Sequence, residues 1–192
     1  DAHADLHTPY TTPSGNLHGM PLAIALGLAN HEAAVNTPPE AEAHGWDALC
    51  NLGGQRPKFR PEDLFLLGIR STEAPEDALI EQLGIACQRM HTLREDSLET
   101  TIQSVVDHFA GYDGVYLSFD TDSLDAELVP GTGTPVPGGL DESTAARLLS
   151  TFWERLPLAA LEVTEVNPLL DSRNQTAQLV ARLLAGLPAV PS

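Results

Sequence analysis

Val115-Tyr116-Leu117-Ser118-Phe119-Asp120-Thr121-Asp122 is a run of strand-forming residues that ends in two aspartates one position apart. Val, Tyr and Phe suit a pleated, half-buried surface. Alternate side chains of an extended backbone point the same way, so Asp120 and Asp122 leave the strand's carboxyl end together. The opening residues Asp1-Ala2-His3-Ala4-Asp5 show the same every-second-position pattern, now with an imidazole among the acids. Brought together, the two stretches offer four carboxylates and one imidazole. Such a cluster cannot stay ionised in a pocket unless cations offset the repulsion. A lone aspartate at a strand end is best read as a turn cap; a DxHxD and a DxD in one chain point to a pair of bound cations.

Working outward from these stretches, strands and helices alternate. Residues 1–20 read as a strand end and a long loop, and Pro21 suits the first turn of a helix. Residues 30–46, with Pro38-Pro39, are expected to loop outward. Leu64–Ile69 is a continuous apolar run, as in a strand buried on both faces, followed by a short helix over Glu76–Leu83 and a strand over Ile85–Gln88. Asp96 and Glu99 signal a helix start, with Leu98, Ile102, Val105, Val106 and Phe109 lining one face. Residues 130–139, rich in Pro and Gly, form a stiff loop, and Asp141 caps a helix carrying Leu148, Leu149, Phe152, Trp153 and Leu156. Leu158–Val166 is the next strand, delivering Glu165 at its end. A last helix covers about Gln175 to Leu184, and the tail after Gly186 is expected to fray. This order predicts an α/β fold with a mostly parallel sheet and helices on both faces. Such sheets place their sites beyond the carboxyl ends of the strands, where Asp1–Asp5, Asp120–Asp122 and Glu165 all fall.

The bulk properties narrow the function. The 192 residues suit one domain. A net charge of −17 argues against nucleic acid, whose phosphates attract Lys and Arg. Cys50 and Cys87 form no CxxC pair and read as reduced packing residues of a cytoplasmic protein. The longest apolar run, Pro21 to Ala29, is far shorter than the roughly 20 residues that span a bilayer. Hard oxygen donors with an imidazole suit manganese better than zinc or calcium, and two such ions about 3.5–4 Å apart activate a shared water.

The motifs Asp1–Asp5, Ser14-Gly15-Asn16-Leu17-His18-Gly19, Ser118–Asp122, Gly133-Thr134-Pro135 with Gly138-Gly139, and Glu165-Val166-Asn167-Pro168 resemble, in order and nearly end to end, those of the arginase family of ureohydrolases. The resemblance implies a three-layer α/β domain and an enzyme with two Mn2+ ions that converts L-arginine to L-ornithine and urea. Asp1 and Asp120 would bridge the ions, Asp5 would join them on one, and His3 with Asp122 on the other. Asp5 would also take a hydrogen bond from the nucleophilic hydroxide. Glu165 would pair with the guanidinium, supported by Thr134, and His18 would return a proton to the leaving amine. Ser14, Asn16 and, through water, Thr12 would meet the amino-acid end of the substrate. A homo-oligomer, trimer or hexamer, is also implied.

Three departures qualify the match. The family's first strands and one metal-ligating histidine have no counterpart, so residues 1–192 are expected to form the C-terminal portion of a longer catalytic domain. His7 stands where arginases carry an asparagine that touches the substrate carboxylate. The segment Arg70–Glu76 only partly matches the acidic stretch that holds the α-amino group, with Glu73 its best candidate and Glu76 its second acid. These changes keep open a ureohydrolase for another guanidino compound such as agmatine. The missing histidine keeps open a non-catalytic metal-binding subunit.

Overall fold

The computed structural model describes residues 1–188, apart from the Glu95 side chain; the expected fraying of the tail concerns in part residues 189–192, outside that range. Four strands and seven α-helices follow in the order α1 (Pro21–Leu26), α2 (Glu40–Cys50), β1 (Phe65–Ile69), α3 (Ala74–Leu83), β2 (Ala86–Arg89), α4 (Met90–Glu95), α5 (Leu98–His108), β3 (Val115–Asp120), α6 (Glu142–Arg155), β4 (Leu158–Thr164) and α7 (Gln175–Ala185). β1 pairs with β2 and β3 with β4. The β3–β4 pair is parallel, with Phe119 opposite Val163 and Asp120 opposite Thr164. Among the described residues no helix is long and apolar enough to cross a membrane.

The chain divides into two compact units. The first contains Asp1–Ala2, Leu67–Arg70 and the chain from Gln88 onward; the second contains His3–Leu66 and Ser71–Cys87. In the first, β3 buries Val115 and Phe119 while α6 buries Ala145, Leu148, Leu149 and Phe152. Spaced at one and two helical turns, the α6 residues form a single apolar stripe. α6 starts where expected: the Asp141 carboxylate accepts from the Thr144 amide at 2.8 Å. The 130–139 segment has no regular structure, and Gly139 is required there. A Cβ would fall 2.5 Å from the Leu124 carbonyl oxygen and 2.6 Å from the Asp125 nitrogen.

In the second unit Met20, Ala23, Trp46 and Cys50 form a buried cluster against which Tyr10, Ile24 and Leu28 pack. Here the expected outward loop over residues 30–46 is overturned in its second half. α2 starts at Glu40 and sends Trp46 and Cys50, four residues apart on one face, into that core. Pro39 is its N-cap, with Glu40 and Glu42 in the first turn, where acids favour the helix dipole. The Pro pair is therefore a helix start rather than a loop signature. α5 is capped one residue later than Asp96, by the Ser97 hydroxyl accepting from Thr100 at 3.1 Å. Residues 1–5 are not part of a named strand. Their burial nonetheless alternates, Ala2 and Ala4 being buried while Asp1, His3 and Asp5 are half-buried.

Candidate functional site

In the first unit the carboxyl end of β3 presents Asp120, 7% exposed, and Asp122, 1% exposed. The chain turns there through a short 3-10 helix, Thr121–Ser123, for which Asp120 is the N-cap and accepts from the Asp122 amide at 2.8 Å. Both Asp122 oxygens are held: Oδ1 accepts from the Ala2 amide at 3.0 Å and Oδ2 from the Thr134 hydroxyl at 3.1 Å. Ala2, next to Asp1, therefore meets the DxD stretch. Asp1 and Asp122 bring carboxylate oxygens within 4.8 Å of one another, close enough to share a cation. Asp120 Oδ2 accepts from the Thr164 hydroxyl at 3.2 Å, across the β3–β4 pair. Burial first, then the neighbouring Asp122 charge, pushes the Asp120 carboxyl up to about 6 from 3.8. Buried oxygen donors that repel one another are the donor set a hard divalent cation neutralises, so these residues fit a metal.

Glu165 lies one residue beyond β4 with φ +59. Only a few per cent of non-glycine residues adopt that region, and they cluster at functional sites. Its backbone is fixed by the Thr121 hydroxyl, which donates to the Glu165 carbonyl at 3.0 Å. A Cβ at Gly133 would come within 3.6 Å of Glu165 Oε2, so the 130–139 loop runs beside this carboxylate.

The second unit carries the remaining sequence candidates. Asp5 also has positive φ, +54, and its carbonyl accepts from the Leu22 and Ala23 amides at the start of α1. His3 lies two residues along the chain from Asp1, half-buried. His7 is 7% exposed and has three partners: Nδ1 lies 3.2 Å from the Thr11 hydroxyl, and Nε2 lies 2.9 Å from Glu73 and 3.5 Å from Glu76. The hydrogen bond from His7 holds the Glu73 carboxyl below its usual range, while burial pushes Glu76 up. Thr12 is buried, and its hydroxyl accepts from the Ser14 and Gly15 amides; Ser14, Asn16 and His18 are exposed. Thr164 and Thr121 escaped the sequence reading because each acts on a residue 44 positions away, and Thr11 because its contact with His7, four residues back, follows no strand or helix pattern. Each nonetheless sat beside a residue already singled out, Thr121 inside the DxD, Thr164 before Glu165 and Thr11 before Thr12.

Comparison with known proteins agrees with these motifs. The arginase family profile matches residues 1–188. The arginase of Bacillus subtilis (strain 168) is 35% identical over 187 residues, covering 97% of this chain and 58% of that protein. The structure of arginase from Bacillus caldovelox superposes with a TM-score of 0.84 at 36% identity, covering 100% of this chain and 59% of that one. Entamoeba histolytica arginase, solved in complex with L-ornithine, gives a TM-score of 0.84 at 29% identity, over 99% and 58% of the two chains. The chain thus spans less than two thirds of the length of these relatives, with the same α/β architecture. It belongs to the arginase family.

Proposed function

We propose that the protein, at its full natural length, is a binuclear manganese hydrolase that cleaves the guanidinium of L-arginine to L-ornithine and urea. The observation that carries this reading is the Asp122 carboxylate, fixed at both oxygens by Ala2 and Thr134 and within cation-sharing reach of Asp1. Asp1, His3, Asp5, Asp120 and Asp122 would hold the two ions. When bound, the ions supply positive charge that lowers the pKa of water. Asp5 then accepts a hydrogen bond from the attacking water. Glu165 takes two parallel N–H bonds from the planar guanidinium, which fixes its orientation, with Thr134 at the same end. His18 gives the departing amine its proton. Thr12, Ser14 and Asn16 receive the amino-acid end. The protein works as a cytoplasmic homo-oligomer, a trimer or hexamer, on a small guanidino substrate.

Purified protein should release urea from arginine, and Asp120→Ala should abolish both manganese uptake and turnover. A loss of less than about tenfold in turnover rejects the assignment. A second reading, hydrolysis of a guanidino compound that lacks the α-carboxylate such as agmatine, draws on His7, which stands where the resemblance expects an asparagine facing that carboxylate. Its imidazole lies 2.9 Å from Glu73, the carboxylate assigned to the α-ammonium. Faster turnover of agmatine than of arginine favours this second reading.

A further inference from the structure

Arg70, at the carboxyl end of β1, gathers the two stretches from which the first unit draws its candidate ligands and the loop that carries Thr134. Its backbone amide donates to the Ala2 carbonyl at 2.9 Å, next to Asp1. Nη2 donates to the carbonyls of Asp122 at 2.7 Å, Leu124 at 3.1 Å and Val136 at 2.7 Å. Nη1 reaches the Ser123 and Gly68 carbonyls, both at 3.4 Å, and Nε the Pro137 carbonyl at 3.3 Å. The guanidinium thus spans the turn after Asp120 and the loop after Thr134, the residue that holds Asp122 Oδ2. Main-chain carbonyls in irregular segments must find donors when taken from water, and a planar fork with five N–H groups serves several at fixed angles. A lysine ammonium carries the same charge on one nitrogen and cannot reach both segments in that geometry.

We infer that Arg70 is a positioning residue for the metal site: its guanidinium locks the 122–124 and 136–137 segments together, and this lock sets the affinity of the site for divalent cations. The inference rests on the manganese reading above, and the test separates the two. Arg70→Lys and Arg70→Met are compared with wild type and with Arg155→Gln, a surface control on α6 whose guanidinium pairs with Glu99 and Gln103. In metal-free protein, hydrogen exchange is followed at the Asp125 and Leu140 amides, which bond across these segments to the Leu140 and Ser123 carbonyls. Mn2+ affinity is read from the electron paramagnetic resonance signal of the free ion.

Faster exchange at both amides in Arg70→Lys, with Mn2+ affinity lower by about 10- to 100-fold and the control unchanged, supports the inference. Unchanged exchange, or faster exchange with wild-type Mn2+ affinity, overturns it. Should Arg70→Met fail to fold, Arg70→Lys alone decides. If wild type itself takes up no Mn2+, the manganese reading falls and the affinity half of the inference falls with it, while the exchange data still decide whether Arg70 locks the segments.

Discussion

Glu76 is 2% exposed, and burial pushes its carboxyl up. Each of its oxygens has a main-chain donor, Oε1 from the Leu6 amide and Oε2 from the Glu73 amide, both at 3.1 Å. With the Glu73 side chain accepting in return it forms the capping box of α3, and it reaches back to the loop that carries Asp5 and His7. Glu76→Gln would relieve some of the cost of burying a charge, yet it turns an NH2 donor toward an amide donor. An unmet buried group costs about 1–3 kcal/mol, more than the relief, so denaturant unfolding should show a loss in that range. Glu73 has a side chain 56% exposed, and its bond to His7 competes with water. Glu73→Gln should cost less than about 1 kcal/mol. Equal losses for the two would show that burial does not govern this pair.

The N-cap of α6 offers a test at the level of a whole element, with a sign set by pH. Ser143 and Thr144 hold the Asp141 carboxyl at about 2, below its ordinary 3.8. A depressed folded-state pKa means the contribution is intact above the ordinary value and fades as pH falls through about 2. Asp141→Ala should destabilise the protein by about 1 kcal/mol near neutral pH, whereas Asp141→Asn keeps an acceptor for Thr144 and loses little. The gap between wild type and Asp141→Ala, measured by denaturant unfolding, should narrow between about pH 5 and about pH 2; a gap independent of pH would show that the ionised carboxylate is not what caps the helix. Asp141 was legible in the sequence because cap and apolar stripe are local; the stripe of α5 was legible in the same way, although Ser97 and not Asp96 caps that helix. α2 was not, since Pro38-Pro39 and a polar run can open either a loop or a helix, and only the packing of Trp46 and Cys50 against Met20 and Ala23 decides. The candidate site divides the same way. Asp120, Asp122 and Glu165 announce themselves at strand ends, but the partners that orient them, Thr164 and Ala2, are 44 and 120 residues away along the chain, a distance over which sequence pattern carries no information.

For the molecule as a whole, carboxylates outnumber cations: 27 Asp and Glu face 10 Lys and Arg. Self-repulsion of that size disfavours the compact state, and it is sharpest where Asp120 and Asp122 are buried side by side. Any cation that binds the folded site and not the unfolded chain must then stabilise folding, by about 2.7 kcal/mol at about 100 times its dissociation constant. Manganese should raise the melting temperature of the full-length protein, and chelation should reverse the rise. Asp120→Asn should have opposite effects on the two forms: the metal-free protein gains stability because a repelled, desolvated charge is gone, while the response to manganese is lost because the donor is gone. Calcium at equal ionic strength separates this from general screening, which acts on every exposed carboxylate alike. If calcium reproduces the whole manganese shift, or if Asp120→Asn keeps it, then the stabilisation arises from diffuse charge and not from the cluster at the ends of the strands.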